Sequence, residues 1–276
     1  MSDPAKLGGG SLLLAWQLKD KRVLVVGGGD VASGRIESVL VADALVTVVA
    51  PRAGLHPLTA RLIEHSDRVT YHDRVFSGED ELEGADMVLT AVDDVALSRE
   101  IVAMCRARKI PVNAADIPPS CDFYFGSQVR DGPLQIMIST NGQSPKLANI
   151  IRRRIEQSLP ANAGDAIERV GELRAQLKKR APGVGGAVGK RRMRWMVDVC
   201  TSWEMDDLAL LDDAMINKLL DAGWEKDTVP TLEEVGGARR RAAAKATTPS
   251  TVLPPVLGFT AGAAFTALVL LVLRRH

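Results

Sequence analysis

An α/β architecture is predicted for this chain. It comprises an N-terminal doubly wound parallel sheet, a small α+β region, a helical C-terminal region and a final apolar helix spanning a membrane. Three observations predict it. Apolar strand-like runs alternate with amphipathic helical stretches from residue 22 to residue 115. At Asp116 the texture changes to a hairpin signal followed by helices. Near the end lies an uncharged stretch as long as a bilayer is thick.

The first strand is Val23 to Val26, an unbroken aliphatic run that reads as buried on both faces. Gly27, Gly28 and Gly29 follow at once. Val31, Ala32, Arg35, Ile36, Val39 and Leu40 then recur at helical spacing. Gly27, Gly29 and Ala32 match G-x-G-x-x-G/A, with Ala in the last slot. Gly27 can take the dihedrals of a tight strand-to-helix turn. Gly29 has no Cβ, which lets a pyrophosphate approach the backbone, and Ala32 lets the helix lie close to the strand. The free N–H groups and positive dipole of the helix start then face the phosphates. Such turns also occur without a ligand. The preceding strand, the following helix and the position near the start of a domain favour nucleotide binding, in a fold of the Rossmann type.

Leu45 to Val49 reads as the second strand and ends in Ala50, Pro51 and Arg52. Dinucleotide sites often carry an acid here for the ribose hydroxyls, and this chain has none. Arg52 is either a partner for a 2′-phosphate or a solvated loop residue, so NAD and NADP both stay open. Leu58 to His65 reads as a helix, Arg68 to His72 as a short strand and Asp86 to Ala91 as an apolar strand. Val92, Asp93 and Asp94 follow at a strand's C-terminal end, where open sheets bind ligands; the acids serve there or cap the helix Val95 to Arg108. Ile110 to Asn113 completes the run of strands.

Beyond Asp116, Pro118 and Pro119 break regular structure. Phe123 to Val129 and Leu134 to Ser139 alternate around Arg130-Asp131-Gly132-Pro133, a hairpin signal. Ser144-Pro145 starts a helix, and helices continue to about Ala222, broken at Pro160 and over Pro182 to Gly189. Gly236 to Pro255 reads as a tether. Val256 to Leu273 is free of charge over 18 residues, about 27 Å as a helix, and is flanked by basic residues. It is expected to be a transmembrane tail anchor that leaves the rest of the protein facing the cytosol, in a membrane the sequence does not identify. The expected divisions are 1–116, 117–160, 161–235, the linker 236–255 and the span 256–273.

A net charge of +1 argues against a nucleic-acid partner. Three scattered cysteines, Cys105, Cys121 and Cys200, indicate a reducing compartment, and four histidines form no ligand cluster, so no preformed metal site is expected. The Leu12 to Trp16 run is too short for a secretory core.

Three separate stretches, VLVVGGGDVA, VNAADIPPSCDFYFGS and ISTNGQSPKLANIIRRRIE, resemble in order and spacing the precorrin-2 dehydrogenase and sirohydrochlorin ferrochelatase family of sirohaem synthesis. The resemblance covers roughly residues 11 to 225 and is strongest to the fungal bifunctional form, which lacks a methyltransferase domain. It implies a homodimer with an NAD-binding domain (1–116), a dimerisation region (117–160) and a helical domain (161–235). It also implies NAD-dependent oxidation of precorrin-2 to sirohydrochlorin, then insertion of Fe²⁺, itself a substrate.

The resemblance makes Asp116 the expected catalytic residue, a general base in both reactions and a transient iron ligand. Read locally, it is a turn residue bonding its own backbone. The expected cofactor-binding set is Gly27, Gly28, Gly29, Asp30, Val31 and Ala32, with Pro51, Val92 and Asp93 at neighbouring strand ends. Asn113 either positions substrate or satisfies backbone. Thr140, Asn141, Gly142, Gln143 and Ser144 form a polar loop at a helix start, suited to a carboxylate arm of the tetrapyrrole or simply capped. Cys121 reads as packing rather than as a nucleophile. Two alternatives remain: a dehydrogenase without chelatase activity, and a non-catalytic membrane-tethered dinucleotide sensor.

Overall fold

Val23 to Val26 occupy the centre of a five-stranded sheet because both faces of that run are apolar. In the computed structural model, which describes residues 10–238, the sheet is formed by β1 (Arg22–Val26), β2 (Leu45–Val49), β3 (Val69–His72), β4 (Met87–Thr90) and β5 (Val112–Ala114). The strand order is β3-β2-β1-β4-β5 and every pairing is parallel. Helices α1 (Asp30–Leu40), α2 (Pro57–His65) and α3 (Val95–Ala107) make the crossovers.

Alternation along β1 divides the core in two. Val23 and Val25 pack with Val46, Val48 and Leu89 against Ala32, Ile36 and Val39 of α1. Leu24 and Val26 pack with Val88 and Val112 against Ile101, Val102 and Cys105 of α3. Each buried aliphatic side chain contributes ~1.5–3 kcal/mol, so a one-residue slip of β1 would exchange its two core faces. The strand order winds outward in opposite directions from β1 and β4, which opens a crevice outside their C-terminal ends.

A two-stranded sheet, β6 (Ser127–Asp131) and β7 (Leu134–Ile138), turns through Gly132 at φ +51°. The expected first strand is shorter here than Phe123 to Val129. Phe123 and Phe125 pack on the α1 side of the large sheet, so their period of two reports rings turned into a core, not a strand pairing. Helix α4 (Pro145–Ser158) follows, with only Ala148 buried.

The remaining helices are α5 (Ala163–Arg180), α6 (Gly186–Ser202), α7 (Met205–Ala209) and α8 (Asp213–Lys218), with a wide final turn at Leu219–Trp224. Their core gathers Leu173, Leu177, Trp195, Val199, Ile216 and Leu219. The Trp195 indole N–H donates to Thr228 O at 2.8 Å, so its polar edge is satisfied within that core. The chain divides into two compact units. Among the described residues, one runs to Val129 and includes Ile136–Ser158; the other takes Arg130–Gln135 and residues 159–238.

The fold class is corrected at one element. No helix among the described residues is long and apolar enough to cross a membrane. The expected span at 256–273 lies outside the described residues, as does the tether from residue 239. An uncharged run satisfies the length and hydropathy needed for a span, but those are conditions on composition, not a helix. The transmembrane element, the tail anchor, the membrane partner and the membrane-attached location are therefore withdrawn.

Candidate active site

The turn after β1 holds three glycines for three different reasons. Gly27 sits at φ +117°, and a Cβ there would lie 2.2 Å from Ala91 O at the end of β4. A Cβ on Gly28 would lie 2.4 Å from Leu55 Cδ2. The protein's own packing accounts for both. Gly29 differs: its dihedrals are open to any residue (φ −72°, ψ −168°), and a Cβ there would meet nothing within 4 Å. Its bareness serves no contact within the described residues. Space is thus left where a pyrophosphate would meet the amides of α1, whose start has no side-chain cap. The residues present fit a dinucleotide.

Around this turn, Ala32 is fully buried against the sheet, while Asp30 and Val31 are exposed. The Asp30 carboxylate lies 3.6 Å from His56 Nε2, and the His56 N–H donates to Gly28 O at 2.8 Å, tying the α2 approach to the glycine turn. Pro51 and Asp93 are exposed at the ends of β2 and β4, and Val92 is half-buried. The cap of α3 is Asp94, whose carboxylate accepts from Leu97 N–H at 3.0 Å, so capping leaves Asp93 uncommitted.

Asp116 lies two residues beyond β5, on the same edge of the sheet as the glycine turn. It is exposed, at φ +59°, a left-handed conformation that Asp tolerates better than most residues. It sits in the turn closed by Ile117 N–H donating to Ala114 O at 3.3 Å, but among the described residues its carboxylate accepts no hydrogen bond. Its electrostatic neighbour is Arg35 of α1. The Arg35 guanidinium stacks on Phe125 at 3.9 Å and is half-buried. Burial pulls it below the usual arginine range, with Cys121 and Asp116 pulling the other way. Sequence reasoning passed over Arg35. The signal was present: an arginine sits among the core-spaced positions of α1.

Asn113 is buried, and its amide donates to Phe123 O at 2.8 Å, which satisfies backbone. Cys121 donates to Ala114 O at 3.0 Å, and burial pushes its thiol up, so it is packing. The polar loop before α4 is internally bonded. Thr140 Oγ1 accepts from Ser144 N–H at 3.1 Å, and Ser144 Oγ accepts from Leu147 N–H at 3.4 Å. Asn141 and Gly142 are exposed with positive φ. The sheet edge brings together the glycine turn, Pro51, Val92, Asp93 and Asp116, whereas the Thr140–Ser144 loop is built separately at the start of α4.

A cavity of about 730 Å³ lies in the other unit, between α5 and α6, lined by Arg174, Lys178, Arg192, Met193 and Met196 among others. It contains none of the catalytic, cofactor-binding or polar-loop residues expected from sequence. Among the described residues no cluster of three His, Cys, Asp or Glu side chains could hold a metal.

A family model for NAD(P)-binding domains matches residues 14–127, and models for the central and C-terminal regions of sirohaem biosynthesis proteins match 131–158 and 160–230. The siroheme biosynthesis protein met8 of Schizosaccharomyces pombe is 50% identical over 227 residues, 82% of this chain and 84% of that protein. The chain belongs to the sirohaem biosynthesis protein family. Siroheme synthases of Psychrobacter sp. and Methylobacillus flagellatus are 34% and 37% identical over 66% and 62% of this chain. The chain spans about a third of those longer proteins, 36% of each. A solved structure of SirC, precorrin-2 dehydrogenase, superposes with a TM-score of 0.59 at 23% identity, covering 78% of this chain and all of that one, a likeness in fold.

Proposed function

We propose that this family member is bifunctional: it oxidises precorrin-2 to sirohydrochlorin with NAD⁺ and then inserts Fe²⁺ to give sirohaem. Asp116 is the general base of both steps. The observation that carries this role is an exposed, unbonded carboxylate on the sheet edge that holds the glycine turn.

Gly27, Gly28, Gly29, Asp30, Val31 and Ala32 hold the dinucleotide, with Pro51, Val92 and Asp93 beside them. When bound, the dinucleotide accepts a hydride. Asp116 takes the proton released in that oxidation. In the second step its carboxylate takes pyrrole N–H protons as the metal substrate enters the macrocycle, and it can hold incoming Fe²⁺ transiently. Arg35, the electrostatic neighbour of Asp116, can meet an acid arm of a carboxylate-rich macrocycle. Asn113 supports the site by holding Phe123, and Thr140, Asn141, Gly142 and Ser144 offer backbone and hydroxyl donors to a further arm. A homodimer is supported by α4, where Leu147, Ile150 and Ile151 are 54, 37 and 42% exposed.

The test is Asp116→Asn. Asparagine keeps the shape and tolerates positive φ, so the fold should hold. Both NAD⁺ reduction with precorrin-2 and anaerobic iron insertion should fall at least ~100-fold, the scale of a lost general base, while NAD⁺ still binds. Full activity in the variant removes Asp116 from the mechanism.

A further inference from the structure

The ends of β2 and β3 carry a charge pair that the sequence does not announce. The Arg52 backbone N–H donates to Asp73 Oδ1 at 2.7 Å, and Arg52 Nε donates to Asp73 Oδ2 at 3.3 Å. Both carboxylate oxygens are engaged by one residue. The Arg52 guanidinium carbon lies 5.8 Å from the Tyr71 ring centroid, and the Tyr71 hydroxyl donates to Ala50 O at 2.9 Å. Tyr71 and Asp73 thus pin the Ala50–Arg52 loop from the neighbouring strand, as the parallel register of Val49 with His72 allows. The backbone N–H of Arg52 is the main cause holding the Asp73 carboxyl below the usual range, so Asp73 is ionised at neutral pH.

This loop stands at the C-terminal end of the second strand, where a dinucleotide fold receives the adenosine ribose. We propose that Asp73 sets the choice of dinucleotide: it neutralises Arg52, ties up the arginine's Nε donor and puts a fixed negative charge where a ribose 2′-phosphate would sit. Arg52 alone would clamp that phosphate, since a guanidinium fork suits it. Paired with Asp73, it does not, and the site takes the dinucleotide with a free 2′-hydroxyl. The acid that sequence reading looks for at the end of β2 is supplied by β3, across a strand pairing.

The inference rests on the dinucleotide reading above, and the experiment separates the two. NAD⁺ and NADP⁺ affinities of the full chain are measured by titration calorimetry, without tetrapyrrole, for the parent protein, Asp73→Asn and Asp73→Asn/Arg52→Ala. The readout is the ratio of the two affinities. Asp73→Asn should move it about tenfold towards NADP⁺, and adding Arg52→Ala should reverse the gain. In the parent chain, the preference for NAD⁺ should shrink from ~0.1 M to ~1 M salt, over which the screening length falls from ~10 Å to ~3 Å. If Asp73→Asn does not fold, this salt series decides. An unchanged ratio in the variant, or a salt-independent preference in the parent, overturns the role of Asp73. A parent chain that binds neither dinucleotide overturns the reading beneath it.

Discussion

Gly29→Asp separates binding from folding more cleanly than any other change at the glycine turn. The position is the N-cap of α1, with ordinary extended dihedrals and no atom within 4 Å of an added Cβ. Aspartate is a favoured N-cap, worth a few tenths of a kcal/mol over glycine, so the thermal midpoint should hold or rise slightly. The new carboxylate would bond the first-turn amides of α1, the donors a pyrophosphate needs, and would face its charge. One charge pair at 4 Å is worth between ~1 kcal/mol in water and ~4 kcal/mol near a protein surface. Taking 2–3 kcal/mol, NAD⁺ affinity should drop roughly 30- to 150-fold. Calorimetric titration with NAD⁺ and a thermal scan measure the two halves. Oxidation of precorrin-2 should fall, while iron insertion, which needs no dinucleotide, should persist. A variant that folds and binds NAD⁺ like the parent would refute the assignment of the turn. Equal loss of both reactions with a lowered midpoint would refute the claim that the site tolerates a side chain.

Two further outcomes test the cores. Cys105 is fully buried and burial pushes its thiol up to about 11. Because the folded value is raised, the unfolded chain binds fewer protons between pH 9 and 11, so stability should fall as pH rises through that window, by about 2 kcal/mol. Urea titrations should show this extra loss in the parent and not in Cys105→Val. In the other unit, Leu173 is fully buried among α5, α6 and the following helices. Leu173→Ala should destabilise that unit by about 3 kcal/mol, read as a lower urea midpoint by tryptophan fluorescence, since Trp195 and Trp224 lie in the same core. A loss below ~1 kcal/mol would mean that the site collapses freely around the deletion.

Much of the sheet was legible because its signals are local. β1 and β2 are continuous aliphatic runs, and the strand-glycine-helix pattern is written in consecutive residues, although the contacts that require Gly27 and Gly28 come from distant Ala91 and Leu55. Other readings failed where one pattern serves two structures. Phe123 and Phe125 alternate as a strand would, yet they are rings packed on the large sheet. The 256–273 run has the composition of a span but lies outside the described residues, among which no helix is long and apolar enough to cross a membrane. Asp116 was legible by its place after a strand and by family resemblance. Its freedom from hydrogen bonds was not, because partners are chosen by the fold.

What the sequence determined by itself is therefore what depends on periodicity and on residues near in chain: the α/β alternation, the glycine turn, the hairpin turn and the family. Tertiary structure alone decided which distant side chains meet. It set Arg35 on Phe125 beside Asp116, sealed Asn113 onto Phe123, and brought Asp73 of the third strand's end to Arg52 of the second. Charge pairs and stacks act over a few ångströms of space with no regard to chain separation, and only the packed sheet supplies that proximity.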